Sequence, residues 1–251
     1  MIQWDLIEDR EIAEKVKNEA VEFVAKCHFG CQGIEKTKDD TINAVNRLKS
    51  SGFKVKAFDT EMNYVELCKE LLQGLVPLHA AVSYPMGRML LANKLNDLET
   101  IYNLGVTDTC VCLDWQAIFS KRYSDIEKEA AIIFNRFGKI FDYLAFVVPA
   151  TLMSDTQIIE TCKALDQAGI VSVKVNPGAK LWVSFEEVEL IQRVFPGRFD
   201  IHPSGGIRKL EEVEKYLELG CKVIHTVSSL DIAEELIERQ LLKYGGIKNV
   251  G

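Results

Sequence analysis

The fold this sequence predicts is α/β, a chain closed into a (β/α)8 TIM barrel. Three observations point to it: eight short β-rich runs, helix-length amphipathic segments between them, and a glycine placed directly before seven of the runs. The glycines are Gly52, Gly74, Gly105, Gly138, Gly169, Gly197 and Gly220. The runs that follow them are FKVKAF, LVPLHAAVSY, VTDTCVCL, KIFDYLAFVV, IVSVKV, RFDIHP and CKVIHTV, and VEFVAKCHF at 21–29 completes the set. A glycine in that place acts as a left-handed helix cap that lets the chain turn back into a strand.

The intervening segments carry the helical period. Ile158, Cys162 and Leu165 recur at three- and four-residue spacing behind Ser154 and Asp155, an N-cap and an acidic first turn. SFEEVELIQRVF and KLEEVEKYLEL read in the same way. Strands and helices that alternate imply right-handed β-α-β units and a parallel sheet. Eight units in 251 residues favour closure into a barrel over an open sheet. With no low-complexity linker, residues 1–251 read as one domain, residues 1–20 forming a helical extension over the bottom of the barrel.

Composition narrows the function. A formal net charge of −7 argues against nucleic acid or an anionic membrane as partner. No segment approaches the roughly 20 apolar residues of a membrane span, and the amino terminus lacks the pattern of a secretory signal. Seven cysteines, most of them inside apolar runs, look like buried reduced thiols, so a cytoplasmic setting is expected. Barrels often pair through surfaces that no sequence marks, and a homo-oligomer is compatible with this chain.

In a barrel, reactive groups belong at the carboxyl ends of the strands, with phosphate near strands seven and eight. Lys174 lies in IVSVKVNPG, where alternation sets Ser172, Lys174 and Asn176 on one face and Val171, Val173 and Val175 on the other. The valines suit the helical layer, so Lys174 should point inward. One reading is a lysine ion-paired in the barrel mouth. The sharper one is an amine held away from water, the nucleophile that imine formation with a carbonyl needs.

HPSGGIRKLEEV at 202–213 sets Ser204, Gly205 and Gly206 after strand seven and just before a helix, where backbone amides can approach an anion closely. Ser228 and Ser229 open the last helix; they either cap it or complete a phosphate cradle. Four histidines, His28, His79, His202 and His225, all fall in predicted strands, which raises a metal site. No two share an element, however, and Cys27-x3-Cys31 lacks a matching pair. Neither a metal nor another cofactor is expected.

At these residues the chain resembles the deoxyribose-phosphate aldolases of the class I aldolases. The resemblance spans roughly residues 50–230 and runs through SYPMG at 83–87, GVTDTCVCLD at 105–114, AGIVSVKVNPG and PSGGIR. It implies that Lys174 is the Schiff-base residue. The chain departs from the family in three places. The family's second lysine, two residues before its Ser-Gly-Gly, is here His202. Its strand-four aspartate is Cys110. Its Thr-Ser-Thr-Gly is Val175-Asn176-Pro177-Gly178.

The resemblance therefore implies a Schiff-base lyase acting on a small phosphorylated aldehyde or ketone, with an altered substrate. His202 and Asp114, one step above Cys110 and Cys112 on the same face of strand four, are expected to move protons. Lys26 is a candidate for the missing positive charge. Asn176, Gly178, Ser204, Gly205, Gly206, Ser228 and Ser229 are expected to hold the substrate and its phosphate. Two other readings stay open: an imine-dependent transferase on the same barrel, and a barrel that binds a sugar phosphate without catalysis.

Overall fold

The computed structural model describes Trp4, Ile7 and residues 9–245. Eight strands alternate with helices: β1 Cys27–Cys31, β2 Phe58–Thr60, β3 Leu78–Val82, β4 Asp108–Cys112, β5 Tyr143–Val148, β6 Ser172–Val175, β7 Asp200–Pro203 and β8 Ile224–His225. All neighbours run parallel, in the order β7-β6-β5-β4-β3-β2-β1-β8. A parallel bridge between Ser204 and His225 brings β7 to β8 and closes the ring. The TIM barrel expected from the sequence is the fold.

The outer helices are α1 Arg10–Val24, α2 Lys38–Ser51, α3 Val65–Leu72, α4 Leu91–Asn103, α5 Trp115–Phe119, α6 Tyr123–Phe137, α7 Asp155–Gln167, α8 Phe185–Val194, α9 Leu210–Glu218 and α10 Ser229–Tyr244. Capping boxes start three of them: Thr37 with Asp40, Ser154 with Gln157, and Ser184 with Glu187. Each box satisfies orphan amides at both ends of the first turn. Six of the seven glycines singled out above are left-handed, with φ between 66° and 96°. Gly138 is the exception, since it stays right-handed at φ −63° and the chain leaves α6 by a further turn.

The start of the barrel differs from the sequence reading. Residues 21–24 finish α1, and β1 begins only at Cys27. Ala20, Phe23 and Val24 are buried while Val21 and Glu22 are exposed, a helical spacing in place of strand alternation. Lys26 is exposed in the turn that enters β1, at the end of the barrel opposite the mouth, and so cannot supply charge to the site. Helix α1 packs against α10, sharing a small apolar cluster of Ala13, Val16, Ala20, Ile237 and Leu241. The rest of the expected extension, other than Trp4 and Ile7, lies outside the described residues.

Two apolar layers result. Val173 and Val175 join the large core between strands and helices, while Ala81, Cys110, Cys112, Ala145 and Val147 form a separate cluster. That second set lies on alternate strand positions and fills the inside of the barrel. All seven cysteines are free and buried. Among the described residues no helix is long and apolar enough to cross a membrane.

One buried charge ties the layers together. Lys94 of α4 is fully buried, and its Nζ donates to the Cys112 carbonyl at 3.1 Å and to Glu129 Oε1 at 2.7 Å. Removing one partner of such a pair leaves the other charge uncompensated, at a cost of about 3–5 kcal/mol. Glu129→Ala is therefore expected to destabilise by that amount in equilibrium denaturation, whereas Lys94→Met with Glu129→Leu comes close to wild type.

Candidate active site

The carboxyl ends of the strands surround a pocket of ≈ 330 Å³. Its walls are the loop after β1 (Gln32 to Lys36), Tyr84 after β3, Pro177 to Lys180 after β6, Ser204 to Gly206 with Arg208 after β7, and Thr226 with Val227 after β8. Asp59 and His225 reach it from the barrel interior. A second hollow of ≈ 640 Å³ lies in the outer layer between α2 and α10, away from the strand ends.

Lys174 points inward, as alternation requires, and is only 2% exposed. It pairs in register with Val147 on one side and His202 on the other. It does not line the pocket. A cluster of histidines and carboxylates fills the barrel's core beside it.

That cluster is continuous. His28 Nδ1 lies 2.6 Å from Asp59 Oδ1, and Asp59 Oδ2 lies 3.5 Å from His225 Nδ1. His225 Nε2 is 3.2 Å from His202 Nδ1, and His202 Nε2 is 3.3 Å from Asp200 Oδ2. The Tyr143 ring stacks on His202 with centroids 4.4 Å apart. On the other side, His79 Nδ1 lies 2.6 Å from Asp108 Oδ1, and His79 Nε2 is 3.5 Å from Cys110 Sγ.

Burial and partners set the charges. Burial pushes Asp59 up, but the neighbouring His28 and His79 and hydrogen bonds from His225 and His28 hold it well below the usual carboxylate range. Burial works to lower His79, yet Asp59, Cys110 and Asp108 outweigh it and raise the imidazole to about 10. Burial dominates at His202, with Asp200 opposing, and the result lies below the ordinary histidine value. His225 is driven well below it by burial, His28 and Lys174. So His79 is the imidazolium here, while His202 and His225 are neutral near pH 7.

Two buried triplets, His28 with His79 and Asp108, and His28 with Asp59 and His225, bring ligand-type atoms within 4.8 Å of one another. Within them His28 Nδ1 and His79 Nδ1 each meet a carboxylate at 2.6 Å, while His28 Nε2 and His225 Nδ1 have no hydrogen-bond partner among the described residues.

The other expected residues divide. Gly205 and Gly206 line the pocket with positive φ of 90° and 81°. A Cβ on them would lie 2.2 Å from the Leu181 carbonyl and 2.7 Å from the Trp182 ring, so only glycine fits this turn. Gly178 and Ser204 also line it. Ser228 and Ser229 do not; the Ser228 amide is bound to Thr226 Oγ1 at 3.0 Å, and Thr226 and Val227 take the wall position.

Asp114 and Asn176 serve local structure. Strand β4 ends at Cys112, so alternation no longer governs Asp114, which caps α5 by accepting from the Gln116 amide at 2.9 Å. It also pairs with Arg122, 3.8 Å away, and among the described residues no bond joins it to Lys174 or His202. Asn176 is fully buried with φ 65°; its amide donates to Thr151 Oγ1 and Glu187 Oε2 and accepts from the Thr151 amide, which fixes the loop after β6. Sequence reasoning weighed His79 only as a metal ligand and missed Asp59 and Asp108, although the alternation that turned Lys174 inward applies equally to strands two to four. It also missed the cationic rim of Lys36, Lys180 and Arg208.

The raised His79 yields a pH prediction. Its folded value of about 10 exceeds the unfolded value of about 6.5, so its stabilisation is complete below the lower figure and is lost as pH rises through the upper one. Asp108→Asn removes the carboxylate charge closest to it. The stability gap between wild type and this variant, followed by denaturant unfolding across that range, is expected to narrow as pH rises.

No family model matches the chain. A deoxyribose-phosphate aldolase of Caldicellulosiruptor saccharolyticus is 27% identical over 178 residues, covering 68% of this chain and 80% of that protein. The enzyme of that name from Aquifex aeolicus is 25% identical over 196 residues, covering 78% and 88%. Among solved structures, the tetrameric deoxyribose phosphate aldolase of Aeropyrum pernix superposes with a TM-score of 0.73 at 19% identity, covering 91% of this chain and 97% of that one. An aldolase called QR15 gives 0.75 at 21% identity, covering 88% and 98%. The resemblance to the deoxyribose-phosphate aldolases that the motifs carry thus holds in sequence and in fold.

Proposed function

We propose that the chain is a carbon–carbon lyase, a class I aldolase that binds a small phosphorylated aldehyde or ketone as an imine on Lys174. The observation that carries the reading is Lys174 itself: an inward, 2% exposed amine beneath a pocket edged with glycine turns and cationic side chains. The names of the sequence relatives support lyase chemistry. Departures at Cys110, His202 and Val175 to Pro177 favour a substrate other than that of the relatives.

The steps follow from the geometry. A phosphate settles against the Gly205–Gly206 turn and the Thr226–Val227 wall, with Arg208 and Lys36 offsetting its charge. The carbonyl end then points down toward Asp59 and His225. Lys174 Nζ attacks the carbonyl carbon, water leaves, and the iminium draws electrons from the neighbouring carbon as an enamine forms. His202, neutral and bonded to His225, relays protons between the buried amine and the pocket floor. The buried, unpaired thiols fit a reducing, cytoplasmic setting.

Borohydride reduction in the presence of phosphorylated aldehydes and ketones, read by intact mass, tests this reading. The expected result is a single adduct with at least one compound in wild type and none in Lys174→Met. An enzyme that binds a compound from the panel but is never trapped would be a sugar-phosphate binder without imine chemistry.

A further inference from the structure

Imine chemistry needs a group that removes and returns the proton on the carbon next to the imine. In the family that the chain resembles this falls to an aspartate in strand four, and the matching position here is Cys110. A thiol in ordinary surroundings is a poor stand-in for a carboxylate, because at neutral pH it holds its proton. Cys110 is not in ordinary surroundings.

Cys110 is fully buried on the inward face of β4, in the cluster that holds Ala81, Ala145 and Val147. Its Sγ lies 3.5 Å from His79 Nε2, and Asp108 Oδ1 holds the opposite nitrogen of that ring at 2.6 Å. Thiol, imidazole and carboxylate in that order form an activated nucleophile or base. Cys112, two residues on, faces inward as well, but among the described residues the imidazole of His79 meets Cys110. The register of β4, β5 and β6 sets the Cys112, Val147 and Lys174 positions side by side, so Cys110 lies one inward position deeper than Lys174.

We propose that Cys110, held by the His79–Asp108 pair, is the acid–base group that exchanges the proton of the carbon next to the imine on Lys174. This rests on the Schiff-base reading. The thiolate takes that proton; the C–H electron pair becomes the C=C bond of the enamine, and the C=N pair moves to nitrogen. Return of the proton from sulfur reverses each movement, and the His79 imidazolium stabilises the thiolate between the two. Nothing is oxidised or reduced.

The groups around Cys110 favour the anion. Burial raises its pKa, but Lys174 from β6 and His79 from β3 outweigh burial and the opposing Asp59 of β2, and the thiol is lowered. Cys112 on the same strand is pushed well up by burial and by Cys110, so it stays protonated. Tyr143 of β5 and Tyr84 beyond β3 are raised in turn, by burial first and by carboxylates and Cys110 after it, and remain neutral. One inward thiol therefore gives up its proton more readily than an ordinary thiol, and the other less readily.

Two measurements test this. Thiolate ultraviolet absorbance near neutral pH is expected in wild type and Cys112→Ser and is expected to vanish in Cys110→Ser. Deuterium exchange from heavy water into acetaldehyde and dihydroxyacetone phosphate, followed by NMR beside borohydride trapping, then asks what the thiolate does. Cys110→Ser is expected to form the trapped adduct yet lose exchange on the order of 100-fold. Cys110→Asp is expected to recover part of it, with the pH profile moved toward acid. A variant trapped like wild type that also exchanges like wild type overturns the proposal alone. Absence of any adduct in wild type overturns the Schiff-base reading, and the proposal with it.

Discussion

A closed barrel of eight strands has to fill its own interior, and here much of that filling is ionisable. Barrels usually stack branched aliphatic side chains in those layers. In this chain the inward positions of β1, β2, β3, β7 and β8 carry His28, Asp59, His79, His202 and His225, with Asp108 at the base of β4 and Lys174 on β6. A lone charge buried there would cost several kcal/mol. The arrangement holds because the histidines and carboxylates pair with one another, at 2.6 Å for the two tightest pairs. Everything else in the site depends on that mutual compensation.

The compensation also assigns different states to like residues. His79, between Asp108, Asp59 and Cys110, is a cation, while His225, facing His28 and Lys174, is neutral. Cys110 loses its proton more readily than an ordinary thiol, and Cys112 less readily. Pairs of titratable groups driven apart by their surroundings are how a site obtains an acid and a base at one pH. Above the cluster, the glycine turn at Gly205–Gly206 and the cations of Arg208, Lys36 and Lys180 form a second zone that differs in kind, open to solvent and suited to an anion.

Much of this was legible in the sequence, where period alone decides. Strand alternation turned Lys174 inward, and the glycine before each run marked the turns. Legibility failed where local rules stop. Asp114 lies two residues beyond the end of β4, past the reach of alternation, and there its carboxylate caps a helix. Residues 21–24 are as β-prone as a strand, yet helix α1 claims them because one face packs on the core. Asn176 takes a left-handed conformation and closes a bond network with Thr151 and Glu187, partners 25 and 11 residues distant that no pattern connects. The histidine–carboxylate core was readable in principle, since its members occupy the same alternate positions as Lys174. Pairing them needs the strand register, which the sequence does not carry.

The most direct measurement is a crystal structure of the borohydride-reduced adduct with a phosphorylated ketone. The account predicts continuous density from Lys174 Nζ to the substrate carbon, Cys110 Sγ as the side chain nearest the adjacent carbon, and phosphate against the amides of Gly205 and Gly206. Density for the adduct on a rim lysine such as Lys36 or Lys180, with Lys174 unmodified in the core, would contradict it.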